Sequence, residues 1–428
     1  MNKEGKISVK NWVLIWVLGL IGQLCWNIEN QWFNTFVYAK IAPDASIISW
    51  MTAISALFTT VSTFVCGTWS DRIGKRRPFI FIGYILWGAF TIAFGATEFL
   101  PKNPLILAAV MVVLMDALMS FFGSMGNDCA FSSWTTDISN ESNRGALGGV
   151  LAAQPIIATI LGTVVSGIVI EKLGYFAFFI VAGAFVCAVG VIGALFLKEG
   201  TSLAPVRDEK GFFHQLLSVF DFKTFVKNKE LFFVFFIMAV YFSCFNFYFA
   251  HVGNYFIYTL GFSEGTAGIL EGAGLMLAVL ATFPAAKAID RGKHGKMILL
   301  SIIATFVGLC ILGFAGNTVV LILLGILIAG IGYVLVMQTT SAWIKNLYPM
   351  EQRGQYEGVR IIFYVLIPMI LGPSSASIVV KNYGLPVEIN GAAGMAPTAV
   401  LFFVAAVLSL LTLIPLYFAN REHKEKNK

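Results

Sequence analysis

Charge is scarce in this chain of 428 residues: Asp, Glu, Lys and Arg together make up 12% of it, against 58% hydrophobic residues. A soluble chain of this length would form two or three domains and need far more charge to clothe them, so a soluble surface is excluded. Cysteine is equally thin. Cys25, Cys66, Cys129, Cys187, Cys244 and Cys310 all fall in or at the ends of apolar runs without metal-ligand spacing, which leaves them as small packing residues and implies no metal. The four histidines, His214, His251, His294 and His423, are scattered, and none joins a Ser or Cys in a hydrolase pattern, so no enzyme and no cofactor are expected. Period-two alternation is missing too, which excludes a membrane barrel.

What is present is a set of long apolar runs. A spanning helix needs about 20 mostly apolar residues, and lipid satisfies no backbone group, so each such run must be a helix. Twelve are expected, beginning near Trp12, Ile47, Phe79, Leu105, Gly145, Tyr175, Leu231, Thr266, Met297, Val319, Gly358 and Thr398. The first is too long, and too polar at its exit, for a cleavable signal. With the N-terminus inside, only Lys40, Lys102, Lys172 and Lys381 fall on the outer side, while all other Lys and Arg residues lie inside or at the inner interface. That distribution obeys the positive-inside rule and assigns the net charge of +6 to topology and lipid headgroups, not to nucleic acid.

The longest polar interval, 198–229, separates six spans from six, giving units 1–197 and 230–428 joined by an inner linker. Within it, Phe212, Leu216, Val219, Phe220 and Phe222 suggest a short interfacial helix over Gly211–Phe225. Inner loops repeat across the two units. The run GTWSDRIGKRR (Gly67–Arg77) has a fainter partner in AKAIDRGKHGK (Ala286–Lys296), so that Asp71 and Arg72 match Asp290 and Arg291. Trp134, Arg144, Gly145 and Gly149 recur as Trp343, Arg353, Gly354 and Gly358 with the same internal spacing. Two landmarks recurring at equivalent spans indicate duplication.

The Gly67, Asp71, Arg72, Gly74, Lys75, Arg76 run resembles the loop signature of the major facilitator superfamily, and the likeness in topology covers the whole chain. It implies an all-α membrane protein of twelve transmembrane helices in two six-helix repeats, both termini cytoplasmic, working as a monomer in the cell membrane. More narrowly, RIGKRRPFI (Arg72–Ile80) resembles the sucrose-type branch of the glycoside–pentoside–hexuronide cation symporters, although that branch's Asp with paired Asn in span four is not reproduced around Asp116. The resemblance places Asp71 at the inner end of span two, facing span eleven, with Asp290 doing the same for span five. An inner gate of partly solvated ion pairs is expected from Asp71, Arg72, Arg77, Asp137, Glu141 and Arg144, with Asp290, Arg291, Arg353 and Glu351 as its twin.

Polar residues inside spans are candidates for solute or ion binding. Gln23, Asn27, Asn30 and Asn34 fall at i, i+4, i+7 and i+11, one face of span one running from mid-membrane outward. Asp116, Ser120, Gly123 and Asn127 form a similar stripe on span four, with Asp116 about 18 Å from the outer end. The two stripes are expected to line a shared cavity. Span seven offers Ser243, Asn246 and Asn254, and span eight Glu264 and Glu271. Amides suit a neutral polyhydroxylated ligand and aromatics such as Trp26, Trp32, Tyr241 and Tyr248 suit sugar faces, so Gln23, Asn27, Asn30, Asn34, Ser120, Asn246 and Asn254 are the expected solute contacts. No Lys or Arg lies in the central membrane, whereas Asp116, Asp128, Glu29 and Glu271 do or nearly do. An unpaired carboxylate there must be protonated, bind a cation or meet solvent, which makes these four the candidates to couple H⁺ or Na⁺. Asp116 leads by its mid-span position. Asp128 could belong to the gate instead, Glu29 points away from Asn27, and Glu271 could simply pair with His251. The expected function is cation-coupled sugar or glycoside symport, with an efflux antiporter as the alternative, although the antiporter signature G-P-x-x-G-G is missing from GVLAAQPIIATILG (Gly149–Gly162).

Overall fold

A computed structural model describes residues 7–139, 143–199, 205, 211–213, 215, 228–347 and 359–426. Among them, twelve helices are long and apolar enough to cross a membrane: Val9–Ile41, Ala45–Ile73, Arg77–Phe99, Leu105–Asp137, Ala146–Leu173, Tyr175–Phe196, Lys229–Thr259, Glu264–Ile289, His294–Ala315, Val319–Ile344, Val359–Tyr383 and Val400–Glu425. These are spans 1 to 12 below. Several open on side-chain caps, which satisfy amide groups that a helix start leaves without partners. Ser8 caps span 1 through the Asn11 amide, Asn228 caps span 7 through Leu231, and Ser263 caps span 8 through Thr266. Of the proposed linker helix Gly211–Phe225, only Gly211, Phe212, Phe213 and Gln215 fall within the described residues, and the last three are helical.

The spans are not uniform α-helix. Wider π-helical turns occur at Glu29–Phe33 and Val37–Ile41 in span 1, Ser124–Phe131 in span 4, Tyr255–Thr259 in span 7 and Ile362–Leu366 in span 11. In span 11 the cause is local. Pro368 has no amide hydrogen to give the Tyr364 carbonyl, and its ring crowds that turn, so the backbone widens ahead of it. One element departs from the all-helical expectation. Leu385–Ile389 and Ala392–Ala396, between spans 11 and 12, pair as an antiparallel hairpin, β1 and β2, in the register Ile389↔Ala392. Its two-residue turn is Asn390–Gly391, both at positive φ, the sequence and geometry that match strand twist in a tight hairpin.

The chain forms two compact units. One comprises Met1–Ile41 with Ile54–Leu217; the other comprises Ser218–Lys428 together with Ala42–Ala53, the opening of span 2. In the second unit the Met395 amide donates to the Pro43 carbonyl at 3.1 Å, and the Ser49 hydroxyl donates to that of Ser374 at 3.0 Å. The polar interval does not announce this exchange of residues 42–53.

Within each unit, span ends and crossings are set by small residues, because lipid supplies no hydrophobic force between helices and close van der Waals approach must do the work. A Cβ on Gly88 of span 3 would strike the Gly183 carbonyl of span 6, and one on Gly308 of span 9 would strike the Ala329 backbone of span 10. Gly88→Leu and Gly308→Leu are each expected to destabilise the protein by about 1–3 kcal/mol through overpacking. A thermal melt in detergent checks this, and an unchanged melting temperature would remove these crossings from the list of what holds the units together.

Candidate solute and ion site

The wide turns of span 1 decide where its polar side chains go. Glu29 opens the first of them and is buried; its Oε1 accepts from Ser55 of span 2 at 2.7 Å and from Ser120 of span 4 at 2.8 Å. The two hydroxyl oxygens are themselves 2.7 Å apart, and the Ser120 hydroxyl also lies 2.9 Å from the Asp116 carbonyl, one turn earlier. Asp116 is 1% exposed, and neither its Oδ1 nor the second Glu29 oxygen has a protein partner. Lower on span 4, Asp128 accepts from the Trp26 indole at 3.2 Å and from Ser124. Span 2 runs alongside as a line of hydroxyls: Ser62 donates to the Phe121 carbonyl at 2.6 Å, and Thr63 lies 2.7 Å from Ser124. Sequence reasoning passed over Ser55, Ser62 and Thr63, whose partners lie on span 4.

The amides of span 1 go elsewhere. Asn27 stands against Gly162 of span 5, and Gln31, which the stripe omitted, accepts from Thr163 at 2.9 Å. The Trp32 indole donates to the Gly162 carbonyl at 3.0 Å. Asn30 and Asn34 turn their amide groups back onto the Trp26 and Asn30 carbonyls of their own helix, and Gln23 is half-buried. The two stripes therefore do not meet face to face. Spans 1 and 4 meet through Glu29 and Trp26, because Glu29 diverges from Asn27 as the spacing requires and thereby turns toward Ser120. On span 4, Asn127 donates to the Tyr84 hydroxyl at 2.8 Å, which in turn donates to the Leu18 carbonyl.

In the second unit, Asn246 and Ser243 bond back to the Phe242 and Ala239 carbonyls, while Asn254, His251 and Glu271 are buried. Neither ring nitrogen of His251 has a protein partner, so the pairing with Glu271 is not formed. Glu264 begins span 8 in its first turn, where a carboxylate suits the helix N-terminus.

The loop between spans 2 and 3 is organised by Arg76, not by Arg72 or Arg77. Its guanidinium, buried under the loop, lies 2.6 Å from Asp71 and 3.0 Å from Asp137 at the end of span 4, and it donates to Ser70 at 2.9 Å. Burial opposes the Arg76 charge, and the two carboxylates more than offset it, holding the guanidinium above its ordinary value. The Glu199 carboxylate accepts from the Arg76 and Arg77 amides at the start of span 3, where a helix start favours an anion. Arg77 donates to the Ala194 carbonyl and Arg72 to Gln215. Arg291 is exposed beyond span 8. The side chains of Glu141, Arg144, Asp290, Glu351 and Arg353 lie outside the described residues.

Two six-span units with buried carboxylates in the membrane and ion pairs at the loop define a multi-pass membrane transporter of the two-repeat type. A family model described as Major Facilitator Superfamily matches residues 15–263 and again 231–428. The chain belongs to the Major Facilitator Superfamily, whose members are transporters and not enzymes. A human relative, MFS-type transporter SLC18B1, is 28% identical over 169 residues, 40% of this chain and 36% of the relative, so the match spans just over a third of that protein. Among solved structures, the nucleoside transporter NupG superposes with a TM-score of 0.69 at 12% identity, covering 96% of this chain and 99% of that one. A D-xylose-proton symporter gives 0.67 at 14%, covering 94% and 97%. A bacterial homolog of the human lysosomal transporter Spinster gives 0.73 at 15%, covering 97% and 98%.

Asp137 is the more enclosed partner of Arg76, with a side chain 19% exposed against 45% for Asp71. Arg76→Gln is expected to lower stability by about 1–3 kcal/mol, and Asp137→Asn to cost more than Asp71→Asn, since screening by solvent weakens the outer pair. Melting the three variants in detergent tests this; a larger loss for Asp71→Asn would reverse the order of the two pairs, and an unchanged melting temperature for Arg76→Gln would displace Arg76 as the organiser of the loop.

Proposed function

We propose that this protein is a proton-coupled symporter of a sugar or glycoside that works by alternating access in the cell membrane, with its termini on the cytoplasmic side. The observation that carries the reading is the oxygen cluster of Glu29, Ser55 and Ser120. Four oxygen–oxygen contacts of 2.7–2.9 Å join Glu29, the two hydroxyls and the Asp116 carbonyl. These are hydrogen-bond lengths, yet two hydroxyls bring only two protons. A carboxyl proton on Glu29 fills a third contact, so the cluster suits a protonated Glu29. Asp116 beside it is the second carboxyl of the site, and Asp128 extends the line toward the loop.

A carboxyl neutralised by a proton can be carried through a closed, water-poor state, whereas the charged group resists closure. That is the requirement for tying solute movement to proton movement. Because Asn30, Asn34 and Asn246 direct their amide hydrogens to their own helices, we assign solute contacts to them through their oxygens and to Gln23, Asn27, Ser120 and Asn254 more broadly. A fold shared with a D-xylose-proton symporter and a nucleoside transporter is in keeping with a neutral, hydroxyl-rich solute. The inner gate of this reading comprises Asp71, Arg72, Arg77, Asp137, Arg144, Asp290, Arg291 and Arg353, with Arg76 added as the bridge. The short match to the sucrose-type branch supports a glycoside over other solutes.

Glu29→Gln is expected to abolish uphill uptake while leaving exchange down a gradient, with accumulation falling by about tenfold or more, the ratio lost with roughly 1.4 kcal/mol of coupling. In vesicles, adding the transported sugar outside should make the medium more alkaline, and Glu29→Gln should remove that signal. If accumulation and the pH signal survive in Glu29→Gln but vanish in Asp116→Asn, the proton resides on Asp116. If no sugar or glycoside moves protons at all, symport fails.

A further inference from the structure

The segment Ala42–Ala53 joins span 1 to span 2 and forms the opening turns of span 2, yet it folds with the second unit. On either side of it the chain is fixed within the first unit: Lys40 pairs with Glu98 at 3.6 Å, and Ser55 donates to Glu29. Between those anchors the Asp44 carboxylate accepts from the Ser46 amide at 2.8 Å, steadying the first turn of span 2. Ala42, Pro43, Ala45, Ile48 and Ser49 are buried.

What holds this segment is the hairpin between spans 11 and 12. The base of the hairpin is tied down by Thr398, which donates to the Tyr383 carbonyl at 2.8 Å, and by Thr259 at the end of span 7, which donates to the Pro397 carbonyl at 2.6 Å. With a two-residue turn at Asn390–Gly391, the pairs that exchange hydrogen bonds are Ile389↔Ala392, Val387↔Gly394 and Leu385↔Ala396, so Pro386 and Met395 face outward on opposite edges. Proline has no amide to leave bare at an edge. Met395 has one, and the Pro43 carbonyl accepts it at 3.1 Å. Beside it, the three atoms nearest to a Cβ placed on Gly394 all belong to Pro43. Gly394 lies in a strand and not at positive φ, so Pro43 is what stands in the way of a side chain there. One turn further on, the Ser49 hydroxyl donates to that of Ser374 on span 11 at 3.0 Å, and Ala45 packs in the apolar cluster of Tyr248, Tyr255, Phe256 and Phe402.

We propose that strand β2 and Ser374 form a releasable clasp on Ala42–Ala53, whose opening frees the end of the carrier opposite its termini. Hairpin and segment each follow an odd-numbered span, which puts both at that end. The segment is bonded covalently to the first unit at both ends and held by the second unit through non-covalent contacts. Any separation of the units at this end must therefore part Pro43 from β2 and Ser49 from Ser374. Both hydrogen bonds of the clasp are neutral, so they part without leaving a charge unpaired. Opening of this kind rests on the alternating access proposed above, but on neither a sugar nor a proton.

Ala45→Cys in the purified full-length protein in nanodiscs, labelled with N-ethylmaleimide and followed by mass spectrometry on the peptide carrying residue 45, reports the opening. Gly394→Val places a branched side chain that suits a strand but strikes Pro43, and should raise the labelling rate about tenfold, the factor for roughly one hydrogen bond. Ser374→Ala, half-buried and outside the hairpin, leaves the strands intact and should raise it about threefold. Ser49→Cys with Ser374→Cys, oxidised to a disulfide, should lower the rate about tenfold or more, and reduction should restore it. A rate unchanged by Gly394→Val and Ser374→Ala, or unchanged by the disulfide, overturns the clasp and leaves symport standing. Failure of every sugar to move protons removes symport and leaves the labelling result as it is.

Discussion

The hydrocarbon interior of a bilayer offers no hydrogen bonds, so every polar group carried into it has to find its partner within the protein, and most of this structure follows from how that is done. Backbone groups are satisfied by helices. Many hydroxyls and amides then return to a carbonyl one turn back, as Thr52 does to Ile48, Thr60 to Ala56, Thr91 to Trp87 and Asn30 to Trp26. Such residues are neutralised where they stand and ask nothing of neighbouring spans. Carboxyl groups cannot do this, having no hydrogen to give a carbonyl unless protonated. Glu29 and Asp128 therefore draw in hydroxyls and an indole from spans 1, 2 and 4, and the polar interior of the first unit is built around them.

Helix geometry adds the second constraint. A stripe drawn at regular spacing through Gln23, Asn27, Asn30 and Asn34 presumes one period from end to end, but span 1 contains two wide turns that begin at Glu29. The wide turn sets Glu29 against Ser55 and Ser120, while Asn27 and Gln31 rest on span 5. Span 4 widens just past Ser120, and with that change Asn127 meets Tyr84. Wide turns of this kind recur at functional sites because they reorient side chains without breaking the helix. In the first unit two of them carry Glu29 and Asp128, while Asp116 lies in the regular helix just before the wide turn of span 4.

Duplication leaves a common plan and different chemistry. Both units place a tryptophan at the inner end of their fourth span, yet one is held by a carbonyl and the other by Glu230. The loop signature shows the same drift: around Asp71 it folds into a complete hub on Arg76, with Gly74 at positive φ, whereas its partner keeps Gly292 at positive φ one residue closer to its aspartate. Equal ancestry has left the first unit with Glu29, Asp116 and Asp128 in its spans and the second with Glu271 in span 8 and Glu230, beside His423, at the start of span 7.

Span number and span limits were legible from the chain itself, because partition into lipid adds up residue by residue along it, and the internal repeat was legible from its recurring loop residues. The Asn390–Gly391 hairpin was not read from the sequence, because its strands lack alternation, although Asn-Gly is a turn pair that accepts positive φ at both positions. Other features required the folded molecule. Nothing in DRIGKRRP distinguishes Arg76 from Arg72 or Arg77 as the bridge between Asp71 and Asp137, since the choice depends on which guanidinium the turn at Gly74 buries. Nothing in an unremarkable Ser55 foretells that it lies against Glu29. His423 and Glu230 stand 193 positions apart in the sequence and 2.7 Å apart in the protein. Hydropathy is a property of each residue and accumulates locally, whereas a hydrogen bond depends on distance and direction between two of them, and those exist only once the helices have packed.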